Sequence, residues 1–168
     1  MGSRTRHHLA QANIAHMRAP LEDPLMAGFV AQLDRINALA DRSRGFVWRL
    51  QTDGGNATGI RAFDDERILF NMSVWESIEA LHEYVYRSEH VAVFRDRRQW
   101  FEPQPAPTLV LWWIEAGDIP SIDEAKKRLA LLGRHGPTPE AFTFKAWFPA
   151  GTAAPGRRPD FETCEWTT

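Results

Sequence analysis

His90 is the residue of this sequence that is best suited to chemistry, because a histidine is followed closely by three arginines, Arg95, Arg97 and Arg98. A neutral imidazole can serve as an acid or base near neutral pH, or bind the iron of a haem. Nearby guanidinium groups could pair with haem propionates or with a substrate carboxylate. The alternative is that His90 only hydrogen-bonds within a helix-capping turn that begins at Ser88.

Two further groups near His90 have both a functional and a structural interpretation. Arg97 and Arg98 precede Trp100 and could form an anion-binding corner with an aromatic wall, or simply end a helix with their stems packed over the indole. His82 lies eight residues before His90, and a histidine on the surface of a helix is its expected role. Dinucleotide, P-loop, zinc-protease and serine-hydrolase motifs are lacking, which disfavours those chemistries.

Polar residues interrupt several strands that are otherwise apolar, and they are the second sign of a site. If their faces converge, they would line a mostly apolar cavity and orient a small molecule there. The expected substrate-binding polar residues are Asn13, Arg49, Asn71 and Ser73, and the expected walls of the cavity are Trp75, Trp100 and Trp112. The alternative is that the polar residues face solvent or meet across a dimer, since a shift of one residue in strand phase would reverse every assignment.

The elements that must position these residues follow from hydrophobic periodicity. Alternation predicts strands at residues 8–15, 45–51, 68–75 and 142–148, and a continuous apolar run predicts another at 108–115. Apolar spacing of three and four predicts helices at residues 24–41, from Ser77 onward, after Ser88 and at 121–132, with Asp23, Ser77 and Ser121 as N-caps and Gly133 as a C-cap.

The strand at residues 108–115 is apolar on both faces, which is typical of a strand that is covered on both sides. We expect the helices to lie on one face of the sheet and a second copy of the sheet to cover the other. The two apolar faces of this strand therefore predict a homodimer.

The bulk composition indicates one globular domain at residues 1–148 and a C-terminal tail at 149–168. A net charge of −2 argues against a nucleic-acid partner, because phosphate binding needs a basic surface. Apolar runs are too short to cross a membrane, the N-terminus has no apolar leader, and the single cysteine, Cys164, favours a reducing cytoplasm.

Several motifs carry a resemblance to a known family: SVWES at 73–77, the YVYRSEH run that ends at His90, RRQWF at 97–101, LWWIEAGDIPS from 111, EAKKRLALL at 124–132 and GPTPEAFTF at 136–144. The chain resembles the domain-of-unknown-function 3291 family of the dimeric α/β-barrel superfamily, which also holds antibiotic-biosynthesis monooxygenases. The resemblance covers residues 8–148. It implies an α+β fold, a ferredoxin-like dimeric α/β barrel whose antiparallel sheet carries helices on one face, and a cavity between sheet and helices.

Two functions remain open from the sequence. The first is an enzyme that acts on a small apolar or aromatic substrate by a monooxygenase-like or an isomerase or cyclase reaction, with no cofactor or with a haem held by His90. The second is a non-catalytic module that binds a small ligand or haem in the same cavity.

Overall fold

The computed structural model describes residues 6–88, 92 and 95–156. Its strands are β1 (His7–Met17), β2 (Phe46–Arg49), β3 (Ile68–Trp75), β4 (Phe101–Glu102) and β5 (Leu109–Glu115). Its α-helices are α1 (Ala27–Asp41), α2 (Ile78–Arg87) and α3 (Ile122–His135), and single 3-10 turns lie at Pro24–Met26 and Arg97–Gln99. No helix within the described ranges is long and apolar enough to cross a membrane.

The strands form one antiparallel sheet in which β1 is central. β3 pairs with one edge of β1 and carries β2 on its outer side, while β5 and the short β4 pair with the other edge of β1. The order strand, helix, strand, strand, helix, strand with this pairing is the ferredoxin-like arrangement. The α+β, ferredoxin-like fold class expected from the sequence is confirmed.

The helix starts predicted at Ser77 and Ser121 are confirmed, because each serine satisfies a backbone N–H that the first turn leaves without a helical partner. Asp23 instead caps the 3-10 turn at Pro24–Met26, where its carboxylate accepts a hydrogen bond from Leu25 N at 2.9 Å, and α1 begins only at Ala27. Ser77 accepts from Ala80 N, and Ser121 accepts from Glu124 N, both at 3.1 Å.

One face of the sheet packs against α1 and α2. Paired residues of an antiparallel ladder share a face, so the pairs Leu9–Trp75 and Leu9–Trp113 define this side. Its core also contains Leu111 of β5, Ile78 and Leu81 of α2, and Ala40 at the end of α1. We call it the helix-pair face.

The opposite face of the sheet packs against α3 and the connection between β2 and β3. Ala10, Trp112 and Val74 lie on it, in contact with a core that includes Ala125 of α3 and Ala62 of the connection. Strand β5 is therefore buried on both sides, as expected, but the cover of this second face is the chain's own α3. The reason given above for a second copy of the sheet was wrong, because the amphipathic helix after β5 folds back onto that face.

The strand expected at residues 142–148 is replaced by a single bridge. Phe142 exchanges two backbone hydrogen bonds with Leu111, and the chain then turns, with Thr143 N bonded to Ala146 O. The aromatic side chains of this stretch pack into the core of the helix-pair face. The Phe148 carbonyl also accepts a hydrogen bond from Trp113 Nε1 at 2.7 Å. Beyond residue 148 the chain stays against the domain as far as Gly156, whose N–H donates to the Trp147 carbonyl.

The expected C-cap at Gly133 was also wrong, because α3 continues to His135. Gly136 ends the helix with φ of 69°, and its N–H donates to the Leu132 carbonyl. A positive φ is strained for any residue that has a Cβ. Gly133, by contrast, has ordinary helical backbone, and a Cβ there would meet nothing within 4 Å.

The two glycines of α3 should respond to alanine in opposite directions. Gly133→Ala is expected to raise the free energy of unfolding by about 0.5–1 kcal/mol, since alanine is the better helix former. Gly136→Ala is expected to lower it by about 1–3 kcal/mol through backbone strain. Urea unfolding followed by circular dichroism measures both. Stabilisation by Gly136→Ala and loss with Gly133→Ala would show that the helix ends at the earlier glycine.

Candidate functional site

A row of polar side chains crosses the middle of the helix-pair face. Gln11 and Asn13 of β1 pair with Ser73 and Asn71 of β3, so the four side chains point to the same side of two adjacent strands. We call these four residues the polar row. The convergence of Asn13, Asn71 and Ser73 expected from the sequence is what the register produces.

Hydrogen bonds join the inner part of the polar row to Trp75. Gln11 Nε2 donates to Asn71 Oδ1 at 3.1 Å and to Ser73 Oγ at 2.9 Å. Trp75 Nε1 donates to the same Ser73 Oγ at 2.8 Å. Gln11, Ser73 and Trp75 are all buried, and a buried polar group without a partner costs about 1–3 kcal/mol. These bonds therefore allow polar groups to stay in an apolar layer.

Asn71 marks an opening in this layer: it is exposed, and it lies just past the end of β2, where β3 forms the edge of the sheet. On one side of it, Trp75 and Leu111 belong to the core beneath α2. On the other side, Leu69 packs with Met17, Met26 and Trp100 in a separate apolar cluster. We call the gap between these two clusters the Asn71 cleft. Within the described ranges, no group bonds to Asn71 Nδ2.

Trp75 lies on the α2 side of the cleft and is fully buried, so it supports the polar row from behind and presents no surface to the cleft. Its ring stacks on Tyr84 of α2, with centroids 5.0 Å apart, and meets the edge of Phe46 at 5.4 Å. The Tyr84 hydroxyl donates to the Ile36 carbonyl of α1 at 3.3 Å. Burial raises the pKa of Tyr84 strongly, and the nearby Arg49 opposes that rise only in part, so the phenol is neutral at physiological pH.

Arg49 lies at the rim of this face, but its guanidinium is used within the protein. Nε and the second terminal nitrogen donate to the Asp41 carboxylate at 2.7 and 3.2 Å, and the first terminal nitrogen donates to the Gly55 carbonyl at 2.7 Å. Arg49 thus ties the end of α1 and the β2–β3 connection to the sheet. Its expected substrate contact would require one of these bonds to break.

The family model named DUF3291, a domain of unknown function, matches residues 8–158 of the chain. The chain belongs to the DUF3291 family. That confirms the family expected from the motifs, and the match extends past residue 148 into the stretch that packs on Trp147. A search of curated proteins found no match.

Two solved structures are similar to the chain at low identity. One is a protein of unknown function from Nitrosomonas europaea, NE2512, with 12% identity and a TM-score of 0.42, covering 70% of this chain and 98% of that one. The other is a mutant of SnoaB, a cofactor-independent oxygenase from Streptomyces nogalater, with 16% identity and a TM-score of 0.43, covering 68% and 96%.

The three expected tryptophan walls of this DUF3291 protein do not lie together. Trp75 lies beside the polar row. Trp100 is buried in the cluster at the other end of the cleft, where its ring lies 5.9 Å from that of Phe29 of α1. Trp112 lies on the opposite face of the sheet, opposite Ala10, and so cannot line the same cavity. Because β5 is apolar on both faces, its sequence does not show which of its tryptophans faces α1 and α2 and which faces α3.

His90 lies outside the described residues, so its expected roles as acid or base and as haem ligand stay predictions. Arg97 is half-buried near Tyr86 of α2, and burial and the neighbouring Arg98 lower the pKa of its guanidinium. Arg98 is exposed, and its carbonyl accepts a hydrogen bond from Arg18 Nε at 2.9 Å.

His82 is half-buried between aromatic rings and does not lie on the open helix surface that the sequence predicted. Its ring lies 4.6 Å from Tyr86 and 5.6 Å from Phe144, which belongs to the stretch after α3. Burial, and to a smaller extent Arg87, lowers the pKa of His82. Within the described ranges, no group of three His, Cys, Asp or Glu residues has the geometry of a metal site.

A second depression runs along the outer side of α3, and its lining is mainly charged. It encloses about 540 Å³ and is bordered by Ser121, Asp123, Glu124, Lys127, Arg128, Leu131, Arg134 and Glu140. Arg128 already bonds the Glu140 carbonyl and the Glu124 carboxylate. The depression along α3 therefore resembles a solvated helix surface, whereas the Asn71 cleft lies between apolar clusters.

Sequence reasoning missed Gln11, the residue that joins the others, although it noted the polar stripe on β1 that contains it. A glutamine in a half-polar strand has no distinctive motif, and only the pairing of β1 with β3 places it opposite Ser73. Asp41 and Tyr84 were missed for the same reason, since each acts through a residue on another element.

Ser73→Ala should destabilise the protein by about 1–3 kcal/mol, because it removes the acceptor of two buried donors, Trp75 Nε1 and Gln11 Nε2. Ser43→Ala is a suitable control, since its half-buried hydroxyl makes one hydrogen bond, to the Leu39 carbonyl. Chemical unfolding followed by tryptophan fluorescence measures both. Equal losses in the two variants would contradict a joint role for Ser73.

Proposed function

We propose that this protein binds a small, largely apolar or aromatic molecule in the Asn71 cleft and acts on it as an enzyme. The observation that carries the proposal is the exposed Asn71 amide between two apolar clusters, whose oxygen accepts a hydrogen bond from buried Gln11. A site of this kind combines apolar walls with a few polar groups that orient the ligand.

The walls indicate the kind of molecule. Leu69 and Leu109 flank the floor with half-buried hydrocarbon, while Asn13 and Asn71 provide neutral polar groups. Burial of apolar surface contributes about 25 cal/mol of binding free energy for each Å² removed from water. An apolar ring system in the cleft therefore provides binding free energy that the two amides do not. We therefore propose an aromatic or polyketide-like substrate with an oxygen that faces Asn71.

The reaction that suits this floor passes through a negatively charged oxygen. A donated N–H bond strengthens when a carbonyl or phenol oxygen becomes an enolate or phenolate, so Asn71 would favour ionisation of the bound molecule. The ionised substrate carries part of its negative charge on carbon and can then react with dioxygen at that carbon. The net change is that a CH₂ group and O₂ become C=O and H₂O. The ionised substrate can instead take a proton at another carbon, which is an isomerisation or the start of a cyclisation.

We propose His90 as the acid or base of this reaction, and Arg97 and Arg98 as the groups that hold an anionic part of the substrate. The two guanidinium groups would also suit the carboxylates of a haem. The polar row offers amides and a hydroxyl, which are not usual iron ligands, so His90 would have to hold a haem if one binds. A bound haem would supply redox chemistry at its iron, and a Soret band that is lost in His90→Ala tests this possibility.

Binding of 1-indanone, a small aromatic ketone, tests the proposed site. Asn71→Leu is expected to weaken its binding about five- to tenfold, since one hydrogen bond contributes about 1 kcal/mol. Chemical-shift titration of the labelled protein measures the affinity. Gln51→Leu, at an exposed position in the β2–β3 connection, is the control and should bind as the wild type does. Equal affinities in all three proteins would place the ligand elsewhere.

Turnover separates the enzyme from the alternative, a binding module without chemistry. Oxygen consumption and product formation are followed with phenolic and 1,3-dicarbonyl aromatic compounds. For an enzyme, His90→Ala should abolish turnover and leave the circular dichroism spectrum unchanged. Saturable binding with no turnover of any of these compounds by the wild type would favour the binding module.

We also propose two features of the setting of this site. The first is a homodimer; since α3 covers the second sheet face, the contact would use another surface, and sedimentation equilibrium at micromolar concentration distinguishes one copy from two. The second is a cytoplasmic location, which the single cysteine favours.

A further inference from the structure

We propose that Gln11 determines the specificity of the Asn71 cleft by fixing which end of the Asn71 amide faces the ligand. The inference rests on the proposed function, because it names the class of ligand that the same site selects. That class is a molecule that offers a hydrogen-bond acceptor, such as a ketone, quinone or enolate oxygen, in preference to one that offers a donor.

Both hydrogens of the Gln11 amide have acceptors. One lies toward Asn71 Oδ1 and the other toward Ser73 Oγ, at 3.1 and 2.9 Å from Nε2. Since a primary amide nitrogen has two hydrogens and accepts none, this arrangement requires an oxygen on each neighbour. The Asn71 oxygen is therefore turned inward, and its NH₂ group faces the cleft.

The orientations of the two amides depend on each other. If Gln11 turned by 180°, its oxygen would face Asn71 Oδ1, and two acceptors would meet in a buried layer. Asn71 would then have to turn as well, which would present its oxygen to the cleft. Ser73 accommodates the observed state because its oxygen accepts from Gln11 and also from Trp75 Nε1, an indole N–H that can only donate.

Burial keeps this arrangement in place. Gln11 is 6% exposed and Ser73 is 7% exposed, so water cannot easily replace a lost partner. Asn71 is the member of the bonded set that reaches solvent, and its NH₂ has no acceptor within the described ranges. The inner residues thus set the polarity of the one group that a ligand meets.

An NMR experiment on the ligand-free wild type tests the orientation directly. Two protons that point at one Ser73 oxygen lie about 3 Å apart, since each is about 1.9 Å from it. A nuclear Overhauser effect is therefore expected between the Trp75 indole N–H and a Gln11 side-chain amide proton. The absence of this effect, with the indole proton assigned and the protein folded, would overturn the proposal.

Ligand preference tests the consequence for specificity, with 1-indanone as the acceptor-only probe and indole as the donor-only probe. The wild type is expected to bind 1-indanone about fivefold more tightly than indole. In Gln11→Leu the Asn71 amide can turn either way, so the two affinities should agree within about twofold. Asn71→Asp keeps the acceptor for Gln11 but presents a carboxylate to the cleft, so the preference should reverse.

Gln51→Leu, in the exposed connection, serves as the control and should keep the wild-type ratio. A Gln11→Leu protein that also keeps the wild-type ratio would overturn the role of Gln11, even where its affinity for both probes falls. If the wild type binds neither probe, the proposed function fails, and the Overhauser effect in the free protein still decides the orientation of Gln11.

Discussion

The antiparallel register of β1 against β3 is the constraint on which the rest of this structure depends. It places Gln11 opposite Ser73 and Asn13 opposite Asn71, so the polar side chains of two strands meet on one face. A shift of β1 by one residue would turn Gln11 and Asn13 to the α3 side and bring Ala12 beneath α1 and α2, while Ser73 and Asn71 stayed in place. The apolar residues on both faces of β1 and β3 make such a shift costly, because each face has its own core.

The two faces of the sheet differ in how completely apolar side chains fill them. The α3 face is filled by apolar side chains such as Trp112 and Ala125, and the chain covers it without help from a second copy. The helix-pair face is divided into two apolar clusters with the polar row between them. A gap floored by amides has a cost in stability, and the bonds among Gln11, Ser73 and Trp75 limit that cost. A pocket for a ligand is the simplest use of a gap that is stabilised in this way.

The sequence predicted those parts of the fold that depend on local signals. The strand at 68–75 alternates clearly, and the serines at 77 and 121 cap helices through bonds within one turn, so neighbouring residues were sufficient. The stretch at 142–148 alternates as well, but a single bridge to Leu111 and the packing of its aromatic rings decide its conformation. Gly133 and Gly136 differ only in backbone geometry, which composition does not reveal.

The candidate site was likewise predictable only where a local sequence signal was sufficient. Asn13, Asn71 and Ser73 were recognisable because a polar residue interrupts an apolar strand. The partners of Arg49, the opposite direction of Trp112 and the linking role of Gln11 depend on contacts between elements that are distant in sequence. Strand phase alone could not show them, since each depends on which neighbour the sheet or helix supplies.

The central claim is that a ligand lies on the polar row, and intermolecular Overhauser effects between bound 1-indanone and the protein test it most directly. We expect contacts from the ketone ring to the Asn71 side-chain amide and to the half-buried side chains of Leu69 and Leu109. Contacts to Leu131 and Lys127 in the groove along α3, with none to Asn71, would contradict this claim.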